Sequence, residues 1–293
     1  MNAQDITQDR GMVLVNALVT ILVIAGVSAS LMLLAAQSRL RTGAGLAADQ
    51  AAVYLDSLAE LLPDLLDRTW RPDDPVALMQ DWARPYSFPI DRGEVGGQVA
   101  DLQGRFNLTW LADPQDDFMR DAFLRLWRDR GLDPDRGAQA LAALVPALRG
   151  GGLAMPMQLL DLPGWDGTAW GALAPHLALL PAAARLNTNT ATEPVLRAVL
   201  PGLPPAALTE LLRVRAETPF VRPEELRYRA AAFLPPEALA AIPFSRFDIT
   251  SRWYEAGLIA TLDGVTLRRA VRLERRSARE GGTRVLGAVP VHD

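Results

Sequence analysis

The sequence predicts an α+β fold in which a long N-terminal helix lies on a small antiparallel sheet, and a large all-α insertion interrupts that sheet. Residues 12–36 carry no charged side chain, and an amphipathic helical pattern follows them over residues 47–66. Alternating apolar and polar residues, typical of half-buried strands, occur near residues 97–111 and again after residue 245. Between these two regions, roughly 130 residues have the apolar spacing of helices.

The composition excludes several classes of function. A net charge of −4 and a pI near 5.4 argue against a nucleic-acid-binding protein, because such proteins usually present a basic surface. The absence of cysteine excludes disulfides, thiolate metal sites and cysteine nucleophiles. His176 and His292, the two histidines, are too few and too isolated for a histidine metal cluster or a catalytic triad. A chain of 293 residues has room for one large core or two modest ones.

The uncharged segment 12–36 is predicted to be a transmembrane helix. A helix of about twenty apolar residues crosses the hydrocarbon core of a bilayer. The segment is too long for the apolar region of a cleaved secretory signal, and a short polar leader, residues 1–11, precedes it. Arg10 lies before the segment and Arg39 and Arg41 lie after it, so the positive-inside rule leaves the orientation open.

The amphipathic pattern predicts that the same helix continues beyond the membrane. One stripe of this continuation is apolar and consists of Ala51, Tyr54, Leu58, Leu61, Leu62 and Leu65. Acidic residues occupy the other faces. Gly43 and Gly45 are expected to weaken the junction between the two halves, and Pro63 is expected to kink the distal end.

A linker and a hairpin are predicted after this helix. Residues 72–89 are rich in proline and aromatic side chains, and we expect them to form a loop that packs on the helix. Residues 101–105, Asp-Leu-Gln-Gly-Arg, lie between two apolar segments with the pattern of strands. They are therefore predicted to form a hairpin turn in which Gly104 adopts a positive φ.

The insertion is predicted to consist of short helices. Apolar residues recur at helical spacing over residues 116–131 and 133–148. Two later units each contain the sequence Leu-Pro-Gly between two short helices. Thr190 and Glu193 have the spacing of a capping box, which predicts a helix beginning there.

The C-terminal region is predicted to be a three-stranded antiparallel meander. Phe247, Ile249, Ser251 and Trp253 alternate with polar residues and indicate the first strand. Two further strands are predicted on either side of Asp263-Gly264, a sequence typical of two-residue hairpins. Residues 277–293 are rich in arginine and glycine, and we expect them to be a frayed tail.

The N-terminus resembles the type IV pilin and pseudopilin class. The residues that carry the resemblance are Arg10-Gly11, followed at once by Met12 and the apolar run. In that class a prepilin peptidase cuts after the glycine and methylates the new N-terminus, which implies processing at Gly11 and Met12 here. The fifth mature residue would be Asn16, where most members carry a glutamate that pairs with a neighbouring subunit. Loss of that charge is typical of the K-type minor pseudopilins of type II secretion, which resemble a tip subunit.

The order of elements resembles the same K-type family along nearly the whole chain. In that family an Asp-x-x-Gly-Arg turn leads into Asn-Leu, and a helical domain is inserted into a pilin-like helix-and-sheet fold. Carried onto this chain, the resemblance implies a leader at 1–11, a transmembrane segment at 12–36, a pilin-like part at 37–112, a helical insertion at 113–242, a pilin-like sheet at 243–276 and a tail at 277–293.

The resemblance also implies a function and partners. It implies a minor pseudopilin that caps the periplasmic tip of a type II secretion pseudopilus, held in the inner membrane by one helix. Its expected partners are other minor pseudopilins in a tip complex, the prepilin peptidase and the inner membrane, with no nucleic acid.

We expect no enzymatic activity and no cofactor. The sequence contains no nucleotide-binding, hydrolase or metalloprotease motif, and the carboxylates at Asp113, Asp116, Asp117, Asp133 and Asp135 are typical of helix caps. Some K-type pseudopilins bind calcium through an acidic loop in the insertion. Residues 148–154 stand where that loop is expected and carry no carboxylate, so the sequence leaves calcium open and names no metal ligand.

An alternative function is suggested by residues 187–220, which resemble the helix-hairpin-helix module of membrane-anchored DNA receptors of natural competence. Such a hairpin binds phosphate through the N–H groups of a Gly-x-Gly turn. Here Pro204 replaces the second glycine and removes one donor. Residues 186–229 contain six arginines and five glutamates, so the segment has almost no net charge and lacks a basic surface. Binding of DNA is therefore the weaker of the two hypotheses.

Overall fold

The computed structural model describes residues 3–68 and 74–291, without the side chains of residues 3–14 and 278. Trp70 and His292 lie outside these described residues. The helices, in chain order, are α1 (Ala3–Arg68), α2 (Asp117–Asp129), α3 (Pro134–Arg149), α4 (Gly167–Leu173), α5 (Glu193–Val199), α6 (Pro205–Glu217), α7 (Glu224–Ala230) and α8 (Pro236–Ala241). The strands are β1 (Tyr86–Ile90), β2 (Gly93–Asp101), β3 (Phe106–Asn107), β4 (Leu177–Ala178), β5 (Leu186–Asn187), β6 (Phe247–Asp248), β7 (Trp253–Leu262), β8 (Val265–Glu274) and β9 (Arg284–Pro290).

The predicted fold class is confirmed: a long N-terminal helix lies on an antiparallel sheet, and a helical block separates the strands in sequence. The sheet has five strands in the order β1-β2-β7-β8-β9. The turn between β7 and β8 is the predicted hairpin, in which Asp263 has a φ of 47° and Gly264 a φ of 81°. Positive φ at both positions matches the twist of the flanking strands and explains the Asp-Gly sequence.

Helix α1 is continuous over 66 residues, and it passes through Gly43, Gly45 and Pro63. Its C-terminal half packs on one face of the sheet through Ala47, Ala51, Leu55, Leu62 and Leu66, all of them buried. Burial of each such leucine contributes about 1.5–3 kcal/mol relative to exposure. The predicted apolar stripe was wrong at Leu61. The face of α1 that packs on the sheet runs through Leu62 and Leu66, and Leu61 lies beside this face and is 61% exposed.

The helices α2 to α8 surround a second, separate core. Five aromatic rings in mutual contact lie at its centre: Phe106, Trp110, Phe123, Trp127 and Trp165. Trp127 and Trp165 meet edge to face with their centroids 5.4 Å apart. The predicted helices at 116–131 and 133–148 are confirmed as α2 and α3. The side chains of Asp116 and Asp133 accept hydrogen bonds from the first turns of these helices, which confirms them as caps.

The two cores divide the chain much as an inserted domain would. The sheet core takes residues between 47 and 99 and between 254 and 273, whereas the helical core takes residues between 106 and 249. The domain boundaries expected from the sequence, at 112/113 and 242/243, stay a prediction.

The predicted hairpin at residues 101–105 was wrong. Strand β2 pairs with β1 and β7, and residues 102–104 form a 3-10 turn that leads into β3 instead of a return strand. Gly104 does not have a positive φ. A Cβ atom at this position would lie 2.6 Å from the backbone oxygen of Thr190, so the glycine is required by the close approach of another segment.

Two expectations for the C-terminal region were also wrong. Phe247–Asp248 does not belong to the meander but pairs in parallel with Leu186–Asn187, and the sheet resumes only at Trp253. The tail is not frayed throughout, because Arg284–Pro290 adds to β8 as an edge strand. This strand follows Thr283, whose N–H and hydroxyl both donate to the Asp67 carboxylate at the end of α1.

The expected loop at 72–89 contains an edge strand, since β1 begins at Tyr86. The rest of the described part of this segment packs on the sheet. Trp82 is buried, contacts Tyr254 edge to face with a centroid distance of 5.3 Å, and donates its indole N–H to Gln80. This aromatic contact extends the core below α1.

We predict that Gly104→Ala lowers the free energy of unfolding by about 2 kcal/mol or more, because the added methyl group overlaps backbone atoms of Thr190. The matched control is Gly257→Ala, a strand glycine at which an added Cβ atom would meet no atom within 4 Å. Urea unfolding of the full chain in detergent, followed by tryptophan fluorescence, measures both. Equal stabilities of the two variants would contradict the assigned close approach.

Candidate assembly surface

The N-terminal half of α1 is exposed on every face from Val15 to Leu46. It contains an 18-residue window of mean hydropathy 2.5, none of it buried, and by length and composition the helix can cross a membrane. Burial of residues in α1 begins only at Ala47, where the sheet starts to cover the helix. One continuous helix is therefore divided into an apolar exposed half and a half that is packed on the sheet.

Two hydroxyl groups within the exposed half donate to the backbone of the helix itself. Thr20 donates to the backbone oxygen of Asn16 at 2.8 Å, and Ser30 donates to that of Gly26 at 2.9 Å. Back-bonding of this kind lets a hydroxyl group enter lipid at low cost, because its donor is satisfied. Residues 15–36 therefore present a largely apolar surface, and Arg39 and Arg41 follow near the end of the exposed half.

The three residues expected to mark processing and assembly all lie in α1. The side chains of Gly11 and Met12 are outside the described part of the chain, although their backbone continues the helix. Asn16 is exposed about one turn further on. Cleavage after Gly11, modification of Met12 and the assembly role of Asn16 stay predictions.

A buried polar junction lies between the two cores, and Asp101 is at its centre. One carboxylate oxygen accepts from the backbone N–H of Gln103 at 2.8 Å. The other accepts from the hydroxyls of Thr190 and Ser251, each at 2.5 Å, and from the amide of Asn187 at 3.0 Å. Burial is the largest influence on this group and raises the pKa of Asp101, while the four donors oppose it.

Asn187 and Asn189 extend the junction into the helical core. The Asn187 amide donates to the backbone oxygen of Val76 as well as to Asp101, and its side-chain oxygen accepts from the N–H of Asn189. Asn189 in turn pairs with both backbone groups of Phe220. These contacts hold the loop before α5, the loop after α6 and the segment before β1 together.

The predicted capping box was wrong because Thr190 serves this junction. Helix α5 begins at Glu193, its cap residue is Thr192, and its N-terminus has no side-chain cap hydrogen bond. The hydroxyl of Thr190 donates to Asp101 instead. Arg215 of α6 closes the same loop by donating to the backbone oxygens of Thr188 and Ala191. Burial lowers the pKa of Arg215 to about 10.

The sequence patterns draw attention to both segments of the junction but do not predict the contact between them. The Asp-x-x-Gly-Arg pattern favours a hairpin, and Asn-Thr-Asn-Thr-Ala at 187–191 favours a cap or part of a DNA-binding module. The signal that points to the junction is different: closely spaced short polar side chains flanked by leucines predict buried groups that must find partners.

The residues considered as metal ligands or catalytic groups have structural contacts in the described part of the chain. No group of three or more histidine, aspartate or glutamate side chains is placed to hold a metal ion in that part of the chain. His176 contacts the hydroxyl of Thr192 at 3.0 Å, and burial lowers its pKa. Residues 148–154, which stand where a calcium loop of the family would lie, end α3 and include Gly151 with a φ of 66°.

The hairpin that suggested DNA binding joins α5 to α6 through residues 200–204. Gly202 has a φ of 83°, and Pro204 is the cap residue of α6. A shallow hollow of about 450 Å³ beside it is lined by Arg125, Arg128 and Arg197. Arg197 is paired with Asp129 at 2.7 Å and with Glu193, so part of this positive charge is neutralised.

Asp101→Ala is predicted to lower the free energy of unfolding by about 3 kcal/mol or more, because it leaves buried donors of Asn187, Thr190 and Ser251 without their acceptor. Asp49→Ala is the control, since Asp49 is exposed on α1 and its loss is expected to cost less than about 0.5 kcal/mol. Urea unfolding in detergent measures the difference. A variant as stable as wild type would show that the junction contributes nothing.

The raised pKa of Asp101 also predicts a pH dependence. A folded-state pKa above the unfolded value of 3.8 means that this carboxyl's contribution to stability is fully present below pH 3.8 and is lost as pH rises through the folded-state pKa. Asp101→Asn cannot titrate. We therefore expect the stability of wild type to fall relative to Asp101→Asn as pH rises above about 4. A difference between the two proteins that does not change with pH would refute this.

Two comparisons with known sequences show similarity to a component of type II secretion. The family model of the type II secretion system (T2SS), protein K, matches residues 186–241, which include the Asn187 and Asn189 junction and helices α5 to α8. A type II secretion system protein K of Aeromonas hydrophila is 42% identical over 80 residues, which are 26% of this chain. That match spans 24% of the length of the relative, so its similarity concerns a part of each protein.

The fold extends the likeness over most of the chain. A chain in the crystal structure of the GspK-GspI-GspJ complex from the type 2 secretion system of enterotoxigenic Escherichia coli superimposes with a TM-score of 0.68. The superposition covers 86% of this chain and 100% of that one, at 17% identity, and therefore describes the fold alone. The matched family segment and the related sequence both show that this chain is similar to protein K of the type II secretion system.

Proposed function

We propose that this protein is a minor pseudopilin that caps the tip of the periplasmic pseudopilus of a type II secretion system. The observation that carries the proposal is the division of α1: its N-terminal half is apolar and wholly exposed, and its C-terminal half is buried against the sheet. A subunit built in this way is held in a membrane by the first half and displays a folded head on the second. Similarity to protein K of the type II secretion system supports a role in secretion.

The apolar half serves two environments in turn. In the inner membrane its side chains contact lipid, with the N-terminus in the cytoplasm and the head in the periplasm. After cleavage behind Gly11, the same side chains pack against the apolar helices of other minor pseudopilins. An apolar helix suits both environments because lipid tails and leucine-rich helices are about equally apolar. Close packing and satisfied polar groups therefore determine whether the helix leaves the lipid for a bundle of helices.

Asn16 is suited to a subunit at the tip of the filament, where no further subunit follows. A glutamate at the fifth mature position would need a neighbouring positive charge when the helix leaves the lipid, since an unpaired carboxylate in an apolar bundle is costly. Asn16 carries no charge and avoids that requirement. The large helical domain beside the sheet supports the same position, because a bulky head blocks addition of further subunits beyond it.

The proposed partners are minor pseudopilins of the I and J types. The structure with the same fold is a complex of GspK with GspI and GspJ, and we extend that composition to this chain. The prepilin peptidase and the inner membrane complete the proposed set. We propose no enzymatic activity and no cofactor. DNA binding has no specific observation in its favour, since the hairpin has proline at the donor position and part of the arginine charge beside it is paired.

Processing offers a direct test of the proposal. In the native host, intact mass and N-terminal sequencing are expected to show loss of residues 1–11 and a methylated Met12. Gly11→Val is expected to abolish cleavage, because the resemblance implies a peptidase that cuts after this glycine. Gly26→Ala, a change further along the same exposed helix with no atom within 4 Å of a Cβ at that position, is the control and is expected to be cleaved normally. An uncut N-terminus in the wild-type protein would refute the proposed function.

A further inference from the structure

A cleft lies on the face of the sheet opposite α1, where the domain built from α2 to α8 meets the ends of β7 and β8. Trp253 and Tyr254 are neighbours in β7 and therefore point to opposite faces, and Tyr254 belongs to the core below α1. On the other face, the Trp253 ring lines two hollows of about 390 Å³ and about 310 Å³. Because both hollows share this side chain, they adjoin and form one cleft.

The larger hollow is lined by charged side chains from both sides of the cleft. These are Arg185, Arg252, Arg275, Arg276, Asp248 and Glu280. Arg185 lies 3.7 Å from Asp248, and Arg252 lies 3.6 Å from both Glu280 and Glu274. These distances exceed that of a hydrogen bond, and in the described part of the chain neither guanidinium donates one. The N–H groups of Arg185 and Arg252 are therefore available to a further acceptor.

The smaller hollow is mainly apolar. Its apolar lining comes from the end of β2, from the segment after β4 and from β9, and consists of Leu102, Leu179, Leu180, Pro181 and Leu286. Leu286 is 48% exposed at the rim. The indole N–H of Trp253 has no acceptor among the described residues, whereas an indole N–H in a cleft usually finds one. The cleft thus places an apolar hollow, a donor and two arginines side by side.

The lining of the cleft carries excess positive charge on a chain whose net charge is −4. Arg272 and Arg284 line the smaller hollow with Glu274, so six arginines and three carboxylates line the two hollows together. Glu274 is shared by three of these arginines, and its closest contact is 2.7 Å to Arg284. Three further carboxylates lie behind the lining and attract its arginines: Asp67, Asp101 and Glu255. Glu255 is also shared with Arg105 outside the cleft. The lining itself therefore favours an anionic ligand.

We propose that this cleft binds an extended peptide segment in which an apolar residue lies next to an aspartate or glutamate. The apolar side chain enters the smaller hollow, and the carboxylate accepts charge-assisted hydrogen bonds from Arg185 and Arg252. Trp253 lies between these two contacts and donates its indole N–H to a peptide carbonyl. A peptide fits better than a small anion, because a small anion would leave the apolar hollow unfilled. This binding site goes beyond the proposed capping function.

The first test uses the full-length protein in a nonionic detergent and a fluorescent peptide of alternating leucine and glutamate with both ends blocked. Fluorescence anisotropy is expected to show saturable binding. A leucine–glutamine peptide of the same length is expected to bind about tenfold more weakly or less well still, because it lacks the charge. Arg185→Gln combined with Arg252→Gln is expected to weaken binding of the acidic peptide about tenfold or more.

The matched control for this double variant is Arg84→Gln combined with Arg222→Gln. It removes the same charge from two exposed positions outside the cleft, and it is expected to change the affinity by less than about twofold. Side chains of Arg185 and Arg252 are 57% and 43% exposed, so the unfolding midpoint of the cleft variant is expected to match wild type.

A second pair of variants tests the apolar hollow. Leu286→Asp is expected to weaken binding of the acidic peptide about tenfold, because it replaces an apolar contact by a charge of the same sign as the ligand. Val291→Asp is its control: Val291 is 45% exposed, lies outside the lining and adds the same charge in the same C-terminal segment. This control is expected to leave the affinity within about twofold of wild type.

Several results would overturn the proposal. They are equal binding of the two peptides, equal affinity of wild type and the Arg185 and Arg252 double variant, and displacement of the acidic peptide by inorganic phosphate at the same concentration. Processing is measured separately, since the cleft lies in the head. A protein that is uncut in its host but binds the peptide refutes the proposed function and leaves the cleft standing, and a protein that is cut after Gly11 but binds no peptide refutes the cleft alone.

Discussion

Three distant segments of the chain meet at the carboxylate of Asp101, and the arrangement of the two cores depends on this contact. Its donors come from Gln103 beside it, from Asn187 and Thr190 in the loop before α5, and from Ser251 before β7. A buried carboxylate is costly unless its oxygens are satisfied, so the segments that supply donors cannot move independently. The end of β2, the entry to the helical domain and the return to the sheet are thereby tied to one point.

The junction explains features of the backbone around it. Gly104 must lack a side chain because the loop that carries Thr190 lies against it. The pairing of residues 247–248 with 186–187 places Ser251 and Asn187 at the same carboxylate. Asn189 and Arg215 then fix the loop to α6. The helical domain is in this way attached to the sheet through satisfied polar groups, while each core is closed by its own apolar side chains.

Helix α1 connects this head to the exposed apolar half without a break. Because the helix is continuous from the apolar half to Arg68, the lateral face of the head has a defined direction relative to the anchoring segment.

Local patterns in the sequence were sufficient for α1, α2, α3 and the turn at Asp263-Gly264. Each is determined by a periodicity or a turn preference that acts within a few residues. The resemblance to the K-type family likewise rested on residues taken in order, and the comparisons bear out this resemblance. Only the tertiary structure decided the role of Asp101, whose partners Thr190 and Ser251 lie 89 and 150 residues away. It also decided that residues 284–290 form a strand. Such outcomes depend on which segments meet in space, and no local periodicity specifies that.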